Sequence, residues 1–436
     1  MPEVEIKYGL DQRPPIVENL MFGLQWLAIT MSTVIIIGKV VAGLHFDDAV
    51  SQLVYMQKLF FVVAVALFSQ VMWGHRLPLI TGPATVLLVG IVAGAGSDIH
   101  AIYTTIAVGG AFLVFLSVTG LFSWLTRFFT FRVVATILML IALTITPTIV
   151  SLVATAPSPA MALTNLGFAL VFLLAMLAAD RLLKGIWKST MIVWAILAGS
   201  LLYLVMVPPD GWQSRGQLGR VAHFFTDMTT QLSWDPGLLI SFLVCFIALS
   251  INDLGSIQAV GRLIEPPAMK RRVTAGIAFT GLSNILAGFC GVIGPVNFSL
   301  SAGIIAANGN ASRLTLIPTS IALLAIAFFP GVVAFVWNVP AVVIGTILLY
   351  IMSAQLAAGL MVAFGTGGFS FQDGLIIGIP AMVSIVVSYL PGAVKAAFPP
   401  LLMPVLGNGF VMGVLTVLVL EHLVYRTRPP AQPGQR

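Results

Sequence analysis

The segment SINDLGSIQAVGR, residues 250–262, sets a carboxylate, two amides and two hydroxyls into an otherwise apolar run. The chain has fifteen acidic residues, and Asp253 alone lies well inside such a run; the others fall at run ends, in loops or in the tails. A carboxylate away from water is costly, and burial disfavours its charged form. Asp253 therefore reads as a residue that carries a proton at neutral pH and helps to hold a substrate. The alternative reading is a structural carboxylate that caps nearby backbone amides. Asn252 and Ser256 are four residues apart, on one face of a helix, with Asp253 about 100° round. A carboxamide both donates and accepts, so Asn252 suits the lactam edge of a neutral, planar ligand, unless it only joins two helices.

A second set of polar residues follows the helix breakers. In LPLITGPATVLLVGIVAG, Leu77 to Gly94, and in GVIGPVNFSLSAGIIAA, Gly291 to Ala307, a β-favouring run leads into Gly82-Pro83 and Gly294-Pro295. Thr85 and Asn297 stand two positions beyond, and short apolar stretches containing glycine complete each segment, with Gly303 read as a further structural break in the second. Thr85, Asn297, Ser299 and Ser301, with Gln25 from an earlier run, could complete a polar cup around a ligand. Each could equally satisfy backbone left unpaired by the break. The five histidines, His45, His75, His100, His223 and His422, fall near run ends or in loops, so no histidine relay is expected. Lys39 and Lys58 read as snorkelling from the outer ends of their runs, and Trp26 as packing or as a stacking surface.

The surrounding chain sets the environment of these groups. Hydrophobic residues make up 59% of the 436 and charged residues 8%. A soluble domain carries about a quarter charged residues, so the fold expected is an all-α polytopic membrane protein. A span needs about 20 apolar residues. That rule gives fourteen runs, near 18–42, 52–74, 79–97, 101–126, 131–153, 160–180, 187–208, 236–258, 273–291, 295–309, 314–337, 339–364, 373–391 and 398–424. The N-terminus lacks the pattern of a cleavable signal peptide. Cys245 and Cys290 read as small buried hydrophobes.

Basic residues orient this map. With the N-terminus in the cytoplasm, eleven Lys and Arg fall in inner loops, Arg76, Arg127, Arg132 and Arg181 among them, and five more in the termini. Only Lys39, Lys58, Arg215, Arg220 and Lys395 fall on the other side. The bias follows the positive-inside rule and puts both termini in the cytoplasm, with the protein expected in the cytoplasmic (inner or plasma) membrane. The net charge of +6 is accounted for by this bias, and no nucleic-acid partner is expected.

The two Gly-Pro pairs, at 82 and 294, are 212 positions apart, about half the chain. They occupy the third and tenth spans, the third of each seven-span half. An odd span count inverts one half relative to the other, the arrangement in which interrupted helices of secondary transporters build a midplane site. The expected organisation is an N-terminal tail over 1–17, a first repeat over 18–208, an extracytoplasmic loop over 209–235, an inverted second repeat over 236–424 and a C-terminal tail over 425–436. Spans 3 and 10 are expected to be discontinuous, each with a short β-strand.

Tyr8–Ala28, YGLDQRPPIVENLMFGLQWLA, resembles the N-terminus of the xanthine/uracil permeases, the nucleobase–ascorbate transporter family. Leu24-Gln25 match the family's first-span motif, with Trp26 in place of its histidine. VVIGTILLYIMSAQLAAGL, Val342 to Leu360, is similar to its twelfth span, with Gly345 and Tyr350 in register. The resemblance runs from about residue 8 to 425 and implies a core domain and a gate domain, usually in a homodimer. The substrate motifs depart from the pattern. Leu300 stands where the tenth span carries a carboxylate or amide. Asn252 and Ser256 stand where the eighth span carries Glu and His or Asp, and Thr85 where the third often has Phe.

Together these features predict a secondary transporter that imports a uracil- or xanthine-like nucleobase by alternating access, with Asp253 coupling it to protons. An anion carrier of the sulfate-permease type and an uncoupled facilitator are the alternatives. No metal-ligand spacing, nucleotide-binding loop or nucleophile–base pair is present in the sequence, so neither a cofactor nor an enzymatic activity is expected. The orientation is directly testable. Single cysteines placed at Arg127 and Arg181 should react with a membrane-impermeant maleimide only after the cells are opened, and labelling in intact cells would reverse the topology.

Overall fold

The computed structural model describes residues 6–184, 187–188, 190–207, 231–331, 333, 339–365, 369–399 and 402–425. Most of the expected loop over 209–235, and the tail beyond 425, lie outside the described residues. Helices α1 (Ile16–His45), α2 (Ala49–Met72) and α4 (Ile99–Val118) flank the strand β1 (Thr81–Pro83) and the nine-residue α3 (Thr85–Ala93). Next come α5 (Phe131–Thr144), α6 (Thr146–Ala154), α7 (Pro159–Leu182) and α8 (Met191–Met206). The second half repeats the order. Helices α9 (Pro236–Ile264) and α10 (Met269–Cys290) precede β2 (Pro295–Asn297), nine-residue α11 (Leu300–Asn308) and α12 (Leu316–Phe328). Helices α13 (Ala341–Phe364), α14 (Phe371–Ser388) and α15 (Gly409–Val419) complete it.

Among the described residues nine helices are long and apolar enough to cross a membrane, α5 and α6 counting as one. Three more are apolar but shorter. Adding the two half-length helices α3 and α11 fills the fourteen positions read from the sequence. Acidic and amide residues sit at span ends because they start helices. Asp48 accepts from the Ser51 amide at 2.7 Å, and Asp235 from those of Gly237 and Leu238 at 2.8 and 3.0 Å. Each satisfies donors that a helix start leaves unpaired. Ser370 and Asp373 cap α14 reciprocally.

The helices pack as two bundles. Helices α1–α4 and α9–α12 enclose the strands, while α5–α8 and α13–α15 pack mainly on one another. The second bundle is pinned at one end by Arg132 of α5, whose guanidinium lies 2.6 Å from Asp373 and 2.9 Å from Glu421.

Inside the first bundle the broken spans meet. β1 and β2 pair antiparallel, with Thr81 opposite Asn297, Gly82 opposite Val296 and Pro83 opposite Pro295. The Ala84 amide donates to the Gly294 carbonyl at 2.9 Å, which carries the pairing one residue past the two prolines. Antiparallel pairing of equivalent segments is what oppositely oriented halves require. Side chains meet further backbone groups of the broken segments, two donors and one acceptor among them. The Ile80 amide bonds Ser301 Oγ at 3.0 Å, the Ile293 amide bonds the Tyr55 hydroxyl at 3.0 Å, and Asn284 Nδ2 donates to the Pro295 carbonyl at 2.9 Å. Extended backbone at this depth is stable only when it is so satisfied.

Three expectations change. Gly303 does not interrupt its span: it lies inside continuous α11, with open space where a side chain would go. The break runs from Gly291, in the left-handed region at φ 67°, through β2. Lys58 does not snorkel; it is buried within α2. Trp26 is fully buried and donates to Thr315 Oγ1 at 3.1 Å, so it packs rather than offers a stacking face.

Gly294 is required by close approach, since a Cβ there would fall 1.7 Å from Asn284 Oδ1. Gly294→Ala should lower the melting temperature of detergent-solubilised protein by the equivalent of about 1–3 kcal/mol, the usual penalty for overpacking. Gly303→Ala should leave it unchanged or raise it, by up to about 1 kcal/mol from helix propensity. Equal effects of the two would contradict this account of the break.

Candidate functional site

The site begins with two adjacent residues of α9 that face different surroundings. Asn252 lines a cavity of about 360 Å³ between the bundles, together with Thr85 at the start of α3 and Ser299 just before α11. Thr33, Ile36 and Phe298 complete the wall of the first bundle, and Leu348, Tyr350, Met352 and Gln355 of α13 form the opposite bundle's share. No charged side chain lines this cavity among the described residues. Within them nothing bonds the side chains of Thr85, Asn252 or Ser299, so their polar groups are available to a ligand. The Thr33 hydroxyl is already committed to the Thr30 carbonyl at 2.8 Å.

Asp253 faces the other way and is completely buried. Its Oδ1 accepts from Asn297 Nδ2 and its Oδ2 from Thr280 Oγ1, each at 2.7 Å. The carboxylate also interacts with the Asn297 backbone N–H. Behind these donors stand others. Thr280 Oγ1 accepts from Gln70 Nε2 at 2.9 Å, and Asn297 Oδ1 accepts from Thr81 Oγ1 at 2.8 Å. Asn297 Oδ1 also lies 3.3 Å from His75 Nε2. His75 Nδ1 accepts from the Leu77 amide at 2.9 Å, which leaves the ring proton on Nε2, pointing at Asn297. Every hydrogen bond in this cluster is polarised toward Asp253, the pattern that stabilises an ionised carboxylate without a neighbouring cation.

The residues predicted from sequence thus divide. Thr85, Asn252 and Ser299 meet at the cavity. Asn297 joins Asp253 in the sealed cluster rather than lining the cavity, because β2 turns its side chain toward Thr81. Ser256 is buried and donates to the Asn252 carbonyl at 2.9 Å. Ser301 supports the strand, accepting from Ile80 and donating to the Phe298 carbonyl at 2.8 Å. Gln25 accepts from Asn308 Nδ2 at 3.1 Å and lines a separate groove with Trp194. Neither Ser256, Ser301 nor Gln25 lines the cavity. Gly82 lets the Phe298 ring approach, since a Cβ there would lie 2.7 Å from it.

The sequence reading missed His75, which was assigned to a span end. It is fully buried because the chain after α2 turns inward before β1. Arg272 holds that turn, donating to the carbonyls of His75 and Arg76 at 3.1 and 2.9 Å, and Arg76 itself is left-handed at φ 55°. Thr280 and Gln355 were also missed. Each is an isolated polar residue in an apolar helix, a pattern shared with many residues that only join helices.

The comparisons with known proteins agree with this architecture. The xanthine permease of Bacillus subtilis is 24% identical, over 94% of this chain and 94% of its own length. The uric acid permease PucJ of the same organism is also 24% identical, over 80% of this chain and 78% of its own. Among solved structures, the transmembrane domain of the cyanobacterial bicarbonate transporter BicA superposes with a TM-score of 0.63 at 13% identity. That match covers 86% of this chain and 96% of the domain, and it supports the fold alone. Residues 17–393 match the model of the xanthine/uracil permeases, described as a permease family, and the chain therefore belongs to that family.

Proposed function

We propose that the chain imports a nucleobase of the xanthine or uracil class by alternating access of its two bundles, coupled to protons through Asp253. Membership of a permease family makes it an integral membrane transporter rather than an enzyme. The observation that carries the reading is the uncharged cavity at the crossing of the broken spans, with Thr85, Asn252 and Ser299 unpaired around it. A planar base with lactam edges satisfies such donors and acceptors without bringing a charge, and a site built to hydrogen-bond discriminates strongly against ligands lacking the partner group. Relatives named for xanthine and uric acid transport support the same class.

Coupling runs through the shared backbone of α9 and β2. Asp253 and Asn252 are neighbours on α9, while Asn297 of β2 bonds Asp253 and adjoins Val296 and Phe298, which line the cavity. Protonation of Asp253 removes the charge toward which the cluster is polarised, which loosens its hold on β2 and hence on the cavity wall. The same residue holds the broken segment in place, so the carrier and structural roles are combined. Further parts of the proposal are cytoplasmic termini, placement in the cytoplasmic membrane and assembly as a homodimer.

A second reading is an anion carrier. The N-termini of α3 and α11 adjoin the cavity at Thr85 and Leu300, no acidic side chain among the described residues lines it, and helix N-termini favour anions.

Uptake by cells lacking their own base permeases tests both. Labelled xanthine or uracil should accumulate, an uncoupler should abolish accumulation, and sulfate or bicarbonate should not compete. Asp253→Asn should reduce accumulation by about tenfold or more, the equivalent of one charge-assisted hydrogen bond, and flatten its dependence on external pH. A variant that is folded and still concentrates substrate with unchanged pH dependence would remove Asp253 from coupling. Competition by bicarbonate or sulfate, with no uptake of any base, would select the anion carrier.

A further inference from the structure

The α13 wall of the cavity carries one polar group that neither the broken spans nor the family resemblance accounts for. Gln355 lies in the middle of α13, among Ile351, Met352, Ala354 and Ala358, which also line the cavity. Within the described residues nothing bonds its side chain. The other polar residue on that wall is not free in this way, because the Tyr350 hydroxyl interacts with the Asp180 carboxylate. A carboxamide against an apolar wall costs free energy unless a ligand completes its hydrogen bonds. It presents an acceptor and a donor side by side, the complement of the N–H and C=O of one lactam edge. Asn252 presents the same pair from α9, in the first bundle.

We infer that Gln355 is a specificity-determining residue that binds a second lactam edge of the base from the α13 wall while Asn252 binds the first. The inference rests on the nucleobase reading given above. It sharpens the substrate class to bases with two lactam or imide edges, as in 2,6-dioxopurines and 2,4-dioxopyrimidines. It also assigns the second bundle a direct part in recognition, so that the ligand bridges the two bodies that must move past each other. A base with one such edge leaves one of the two amides unpaired.

The test is binding by the full-length protein in nanodiscs, with xanthine and hypoxanthine as probes. Hypoxanthine lacks the 2-oxo group and so one edge. The unmodified protein should bind xanthine about tenfold or more tightly than hypoxanthine. Gln355→Met, similar in size and apolar, should weaken xanthine by about 10- to 100-fold and hypoxanthine by less than about threefold, collapsing the ratio. Gln355→Glu, nearly isosteric, is the second variant; it removes the donor and should weaken xanthine in the same direction, which keeps the test open should the methionine variant fail to fold. Unchanged xanthine affinity, or equal losses for both bases, in whichever variant folds would overturn the role of Gln355. Failure of the unmodified protein to bind any base would overturn the nucleobase reading and this inference with it.

Discussion

Backbone that is not helical must find hydrogen-bond partners inside the protein when it lies at membrane depth, and the rest of this structure depends on that requirement. Six residues of strand cannot form a sheet of useful size, so the ladder satisfies only part of the broken segments. Side chains supply the remainder from four helices: Tyr55 of α2, Asn284 of α10, Ser301 of α11 and Asp253 of α9. These residues come from both halves of the chain. The crossing is therefore a consequence of the whole first bundle being assembled, and the polar residues that build it are determined by backbone geometry before any ligand is considered.

That requirement also explains why polar residues of similar appearance have separate fates. Around the crossing there is more hydrogen-bonding capacity than the backbone consumes. What is consumed faces inward, where Thr81, Thr280, Asn297 and Gln70 converge on Asp253. What remains, on Thr85, Asn252 and Ser299, faces the second bundle. One residue step along the helix, about 100°, is enough to separate the two sets, because α9 contributes Asn252 to the open side and Asp253 to the sealed one. A cavity wall and a sealed carboxyl group can thus share a helix without sharing a solvent.

Much of this was legible in the sequence, for a specific reason. A membrane span is announced by composition over about 20 residues, and a helix start by a single acidic or hydroxyl residue, so the order of elements follows from local pattern. The broken spans were legible because Gly-Pro occurs twice at matching positions. Side-chain direction was not. Asn297 and Ser299 are two residues apart and look equivalent on paper, yet the strand turns one toward Thr81 and leaves the other at the cavity. His75 was hidden for a different reason: hydropathy places it at a span end, whereas the fold draws the chain inward there and Arg272 secures the turn. Gly303 was misread because a glycine inside a helix and a glycine at a break carry the same letter, and only the space around each distinguishes them.

The departures at Leu300, Asn252 and Ser256 from the ionisable residues that the family resemblance implies bear on the proposed coupling. Where a carboxylate touches the ligand, protonation and binding compete for the same oxygens. Here the carboxylate is walled off, so in the proposed mechanism the proton and the ligand would act on β2 from opposite sides. Asp253 reaches Asn297 by a hydrogen bond, and the neighbouring Val296 and Phe298 line the cavity that the proposed ligand would fill. Coupling of that kind depends on the stiffness of three residues of strand rather than on direct charge compensation. The stiffness has a visible source in the two prolines that face each other at the centre of the ladder, since each fixes its own φ and removes a donor that would otherwise need a partner.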